Sequence, residues 1–186
     1  MTTSDRIALV TGPARSGKSE WAEALATQSG HSIIYIATSI VDPADLDWQQ
    51  RVALHRDRRP AHWHLQEVPI ALPEAILAAT AQDCLLIDSL GTWLANLLEL
   101  DDATWQSTVQ FLMESLCQTP ATVILVSEET GWGVVPAYPM GRLFRDRLGH
   151  LTRQVGTVAG AVYLVIAGYA VDVKQLGVGV DGERGR

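Results

Sequence analysis

The sequence predicts a three-layer α/β fold, with a mostly parallel central sheet covered by helices on both faces. Three observations carry this expectation. Short apolar runs alternate with stretches of helix formers along the whole chain. The apolar runs are continuous rather than alternating, as strands buried on both faces require. The first run, Ile7-Ala8-Leu9-Val10-Thr11, leads into Gly12-Pro13-Ala14-Arg15-Ser16-Gly17-Lys18-Ser19 and then into Glu20-Trp21-Ala22-Glu23-Ala24-Leu25-Ala26. The middle stretch reads G-x-x-x-x-G-K-S, a P-loop pattern in the strand–turn–helix context that it needs. The expected fold is therefore of the P-loop NTPase, RecA-like kind.

The pattern dictates its chemistry. Gly12 and Gly17 let the backbone turn so that successive N–H groups face phosphate oxygens, across Pro13, Ala14, Arg15 and Ser16. The helix that starts near Lys18 adds its positive dipole end. Lys18 can reach the β- and γ-phosphates, and the Ser19 hydroxyl can ligate Mg²⁺.

The remaining elements follow in order. His31 to Ala37 reads as a second buried strand, ending in the small hydroxylated pair Thr38-Ser39. In open α/β sheets, ligands bind at such strand ends. Pro43 to Arg58 reads as a polar helix stopped by Pro60, and Leu65 to Val68 as a short extended piece. Pro73 to Ala81 reads as a helix with proline at its start. Cys84-Leu85-Leu86-Ile87-Asp88 is a buried strand ending in an acid, the profile of a Walker-B strand whose Asp holds the Mg²⁺ shell. Asp88 could equally cap the next helix. Leu90 to Leu100 and Thr104 to Cys117 follow as amphipathic helices, and Ala121 to Ser127 as a strand. A glycine-bearing loop from Glu128 to Pro136, a long helix from Tyr138 to Val158 and a last core strand from Ala161 to Ala167 complete the pattern. With no internal repeat and no linker, residues 1–176 read as one domain and 177–186 as a disordered tail.

Bulk properties narrow the class. At 186 residues and 47% hydrophobic, the chain suits one domain with a full core. The net charge of −7 argues against nucleic acid as a partner, so a phosphate site needs local cations, which Arg15, Lys18, Arg51, Arg56, Arg58 and Arg59 could supply. Cys84 and Cys117 lie in apolar surroundings and read as buried thiols, in keeping with a reducing cytoplasm. No signal-peptide profile or membrane-length apolar segment is present in the sequence. Ordinary core or interface packing is the expected use of the six tryptophans.

The run from Leu54 to His64 packs three His, three Arg and a Trp together. A kinase that only moves a γ-phosphoryl group needs no such cluster. A neutral imidazole can attack phosphorus, and flanking guanidinium groups can neutralise the phosphates it attacks.

At this point the chain resembles the bifunctional adenosylcobinamide kinase / adenosylcobinamide-phosphate guanylyltransferase family of cobalamin biosynthesis. The resemblance rests on 10–19, 35–39, His55-Arg56-Asp57-Arg58-Arg59-Pro60-Ala61-His62-Trp63, 86–94, Val126 to Pro136 and 144–149, in family order. It implies two reactions: phosphorylation of adenosylcobinamide by ATP or GTP, then transfer of GMP from GTP through a guanylyl-histidine to give adenosylcobinamide-GDP. By position it implies His55 as the guanylylated residue; His62 and His64 read, on our own account, as supporting or structural residues, with each also a lesser candidate nucleophile. It implies nucleotide contacts at Ala37, Thr38, Ser39, Arg56, Asp57, Arg58, Arg59, Glu67 and Asp88, and a trimer. Glu67 suits guanine, since a carboxylate accepts from N1–H and N2–H₂. Glu128 is our own candidate for positioning the acceptor hydroxyl. The chain departs from the family pattern at Gly156 to Val162, at Thr152 and at Gly168-Tyr169-Ala170-Val171. Two other readings are a P-loop small-molecule kinase without the covalent step, and a RecA-like nucleotide-dependent interaction module.

Overall fold

The computed structural model describes residues 4–40 and 60–180. The expected helix at 43–58, Trp48, and the candidates Arg51, His55, Arg56, Asp57, Arg58 and Arg59 lie outside the described residues, as do 181–186.

The elements run β1 (Ile7–Gly12), α1 (Lys18–Gln28), β2 (Ser32–Ala37), β3 (His64–Glu67), α2 (Leu72–Ala78), β4 (Asp83–Asp88) and α3 (Leu90–Asn96). They continue through α4 (Asp102–Gln118), β5 (Thr122–Glu128), α5 (Pro139–Val158), β6 (Ala161–Ile166), β7 (Tyr169–Asp172) and α6 (Val173–Leu176). The seven strands form one sheet in the order β3-β2-β4-β5-β1-β6-β7. Every neighbouring pair is parallel except β6 and β7. The expected three-layer P-loop fold is the fold found. Strand β5 separates the P-loop strand β1 from β4, the strand that ends in Asp88.

Strand alternation sorts side chains onto two faces. Val10, Tyr35, Leu86, Val126 and Val165 face α1, where Ala22 and Ala26 let the helix lie close. Leu9, Ile36, Ile87 and Leu125 face the other layer, where α2, α3, α4 and α5 bury Ile76, Trp93, Leu112 and Leu151. Burying each such side chain contributes about 1.5–3 kcal/mol.

Several boundaries differ from expectation for visible reasons. Helix α3 stops at Asn96 instead of reaching Leu100, and Leu97 to Leu100 form tight turns. The Arg147 guanidinium donates to the carbonyls of Leu98 (3.1 Å) and Leu100 (2.8 Å) and to Asp102 Oδ1 (2.8 Å), and it stacks over Trp105. That clamp uses carbonyls freed where the helix ends. Helix α4 begins early because the Asp101 side chain accepts from Thr104 N. Strand β7 and helix α6 were not expected, since four residues are too few to show a period. Cys117 corrects one reading: Cys84 is buried, and burial pushes its thiol up, but Cys117 is exposed. It sits on α4 beside Leu116, one step past the stripe Trp105, Val109, Leu112 and Leu116 that faces the core. Trp63, Trp93 and Trp105 are buried, while Trp132 is exposed.

Candidate functional site

Gly12, Ala37, Glu67, Asp88 and Glu128 are the last residues of β1, β2, β3, β4 and β5. Register therefore brings five scattered positions to one edge of the sheet: Gly12 lies beside Glu128, and Ala37 beside both Glu67 and Asp88.

At the centre of that edge the P-loop closes over β1. Arg15 and Gly17 are both left-handed, at φ 59° and 95°. The Pro13 carbonyl accepts from Ser16 N (3.3 Å) and from Lys18 Nζ (3.4 Å). Among the described residues no side chain caps the first turn of α1, and the buried Ser16 Oγ has no hydrogen-bond partner. Uncapped N–H groups at a helix start are a cradle for anions. Lys18 and Ser19 are half-buried at its mouth, while Ala14 and Arg15 are exposed. Gly12 is required by close approach: a Cβ there would lie 2.3 Å from the Val165 carbonyl oxygen and 2.8 Å from Ser16 Oγ. Gly12→Ala is expected to destabilise the fold by about 1–3 kcal/mol and to weaken nucleotide binding. Thermal denaturation and nucleotide titration check both.

On the β4 side, Tyr35 OH donates to Asp88 Oδ2 at 2.8 Å. The next residue, Ser89, caps α3 in a reciprocal box with Thr92. Glu128 reaches this corner from β5. It accepts from Ser89 Oγ at 2.5 Å through Oε1, and from Gly91 N at 3.1 Å through Oε2. Burial pushes the Glu128 carboxyl above the ordinary range; the Ser89 bond lowers it, the Asp88 charge raises it and Lys18 lowers it. A Cβ on Gly91 would sit 2.1 Å from Glu128 Oε2, so this corner admits only glycine without movement. Glu129 turns back, its N donating to the Gly12 carbonyl and its Oε1 accepting from Thr11 Oγ1.

Past β2, Thr38 is buried and its hydroxyl is turned inward. It donates to the Ser89 carbonyl (2.7 Å) and accepts from Ser89 N (2.9 Å). Asn96 Nδ2 donates to the Thr38 carbonyl (2.7 Å) and to that of Pro69 (2.8 Å). Glu67 is exposed at the end of β3, and Ser39 is half-exposed. His64 begins β3 opposite Ile34, so it lies at the far end of that strand from Glu67; His62 is exposed before it. The edge thus joins Gly12 to Ser19, Ala37, Thr38, Ser39, Glu67, Asp88 and Glu128. Sequence reading missed Tyr35, Ser89, Gly91 and Asn96. Only the Ser89/Thr92 spacing carried a local signal, that of a capping box.

A hydroxyl, three carboxylates, an amine and a ring of N–H donors around a phosphate cradle suit phosphoryl or nucleotidyl transfer. The family described as cobinamide kinase / cobinamide phosphate guanyltransferase, CobU, has a model that matches residues 8–173. The chain belongs to this family. Among its CobU-family relatives is the bifunctional adenosylcobalamin biosynthesis protein CobP of Pseudomonas aeruginosa. That protein is 42% identical over 168 residues, covering 89% of this chain and 96% of the relative. CobU of Salmonella typhimurium, also named a bifunctional adenosylcobalamin biosynthesis protein, is 36% identical over 181 residues, 89% of this chain and 98% of the relative. A solved structure of the Pyrococcus horikoshii OT3 protein PH0250 shares the fold, with a TM-score of 0.58 at 5% identity. It covers 93% of this chain and 87% of that one.

Proposed function

We propose that this CobU-family chain phosphorylates adenosylcobinamide and then guanylylates the product. The observation that carries the reading is the uncapped cradle of Gly12 to Ser19, flanked on neighbouring strand ends by Glu128 and Asp88, in a chain matched by the family over nearly its full length.

In the kinase step, the substrate hydroxyl oxygen forms a bond to the γ-phosphorus as the bond to the β,γ-bridging oxygen breaks. The nucleoside diphosphate leaves, and the hydroxyl proton is released to solvent. The cradle N–H groups and Lys18 hold the phosphates. Glu128, fixed by Ser89 and Gly91, positions the hydroxyl.

In the transfer step, a His55 ring nitrogen forms a bond to the α-phosphorus of GTP and pyrophosphate leaves. An oxygen of adenosylcobinamide phosphate then attacks that phosphorus. The P–N bond breaks, giving adenosylcobinamide-GDP and free His55. Arg56, Arg58 and Arg59 neutralise the phosphates, with Asp57 beside them. Ala37, Ser39 and Glu67 take the guanosine side; Thr38, fully buried and bonded to Ser89 and Asn96, instead fixes the chain at the end of β2 and corrects the expected nucleotide contact there.

The donor set fits Mg²⁺. Ser19 and Asp88 would offer hard oxygens, and Tyr35 holds one oxygen of Asp88. Among the described residues no group of three or more His, Cys, Asp or Glu could hold a metal unaided. A Mg²⁺ ion is commonly completed by substrate phosphates and water. When bound it neutralises charge between the phosphates.

A trimer belongs to the same reading by family resemblance, and a cytoplasmic setting by the two cysteines, whose spacing reads as no disulfide framework. Among the described residues no helix is long and apolar enough to cross a membrane.

The test is incubation with α-labelled GTP. An acid-labile, base-stable label is expected on the protein, discharged on adding adenosylcobinamide phosphate. With no label on the wild type, only a kinase remains. Hydrolysis stimulated by nucleic acid, without corrinoid phosphorylation, supports an interaction module instead.

A further inference from the structure

The two reactions make opposite demands on one cradle. The kinase step needs the γ-phosphorus beside Asp88 and Glu128, which lie on the β4–β5 side of β1. With the phosphates fixed at β1, the nucleoside then leaves on the opposite side, toward β6 and β7. The transfer step needs guanine near Glu67 on β3. That is four inter-strand steps of about 4.8 Å from β1, on the β4–β5 side. One nucleotide has one base, and it cannot lie on both sides.

The β6–β7 side carries a structure suited to a base. Ala167 (φ 51°) and Gly168 (φ 81°) form a two-residue turn with both residues left-handed, the geometry of a tight hairpin. The turn is built against the cradle: Gly168 N donates to the Ser16 carbonyl at 3.1 Å. A Cβ on Gly17 would touch Val165 Cγ1 at 3.8 Å and Gly168 Cα at 3.9 Å. Ile166 and Tyr169 flank the turn as directly opposed residues, so both side chains leave the same face. They are 44% and 77% exposed. An aromatic ring beside an aliphatic one, fixed to a phosphate cradle, is a stacking platform for a purine.

We propose that Tyr169, with Ile166, stacks on the purine of the triphosphate that serves the kinase step, a base site separate from the guanine site at Glu67. The protein then uses two nucleotide poses, with the base toward β7 for phosphorylation and toward β3 for guanylylation. This rests on the kinase and transferase reading above. The ring face recognises adenine and guanine alike, so the kinase step accepts both ATP and GTP.

The experiment uses the full chain and two probes, a fluorescent ATP analogue and inorganic tripolyphosphate. Tyr169→Ala is expected to weaken the analogue about tenfold while leaving tripolyphosphate affinity within twofold. Tyr169→Phe is expected to restore binding of the analogue. The KM for ATP in corrinoid phosphorylation rises in parallel with the loss, whereas guanylylation by α-labelled GTP does not follow it. Equal weakening of both probes assigns Tyr169 to support of the cradle and overturns the proposal. Unchanged ATP affinity with altered sedimentation assigns it to a subunit contact and overturns it as well. A wild type that binds neither probe instead removes the nucleotide reading itself.

Discussion

His55→Ala is expected to abolish labelling of the protein by α-labelled GTP and to lower adenosylcobinamide-GDP formation by roughly 10³-fold or more. The reason is chemical rather than conformational. Direct displacement at the α-phosphorus by adenosylcobinamide phosphate brings two anions together in one step. In the proposed relay the imidazole divides that encounter into two displacements. Without the ring nitrogen no covalent adduct can form, however well GTP binds. The proposed kinase step uses no atom of His55, so a phosphorylated corrinoid is expected to accumulate. His55→Asn, which keeps polarity without a nucleophile, is expected to behave like His55→Ala. Label retained in both variants moves the nucleophile elsewhere. Measurement needs only labelled GTP, acid and base treatment of the adduct, and separation of the corrinoid products.

Lys18→Ala is expected to depress both reactions, the kinase step by about 10²–10³-fold, the usual cost of removing one preorganised charge donor. Lys18 follows Gly17 at the start of α1, and the only hydrogen bond described for its ammonium group runs to the Pro13 carbonyl. Its substitution therefore removes little packing, and the melting temperature is expected to stay within about 2 °C, in line with surface changes below 0.5 kcal/mol. The pair of variants is diagnostic. Loss of transfer alone marks the covalent relay, and loss of both marks the shared cradle. A Lys18→Ala protein that phosphorylates adenosylcobinamide at the wild-type rate contradicts the P-loop assignment.

The strands were legible because a buried parallel strand leaves a continuous apolar run, as in Leu85-Leu86-Ile87, whatever surrounds it. The cradle was legible because its glycines answer to local backbone demands, at Gly12 by close approach and at Gly17 by φ 95°. Strand β7 was not, because Tyr169 to Asp172 pair only with β6, and that pairing depends on a turn two residues long. The Tyr35–Asp88 and Ser89–Glu128 bonds span 53 and 39 positions of sequence. Nothing local marks such partners; they exist only once β2, β4 and β5 lie side by side. The end of α3 was misread for a similar reason, since the Arg147 clamp comes from a helix far along the chain.

The anchoring of Thr38 bears on the proposed attack by His55. Thr38 is tied to Ser89 and Asn96, and Trp63 is buried among Val10, Ile33 and Leu86 on the α1 face. The described residues on both sides of the segment that carries His55 are therefore fixed to the sheet that bears the cradle. On the proposed relay, attack on the α-phosphorus is intramolecular, governed by an effective concentration and not by an encounter in solution. Moving either Thr38 or Trp63 is then expected to alter the speed of guanylylation.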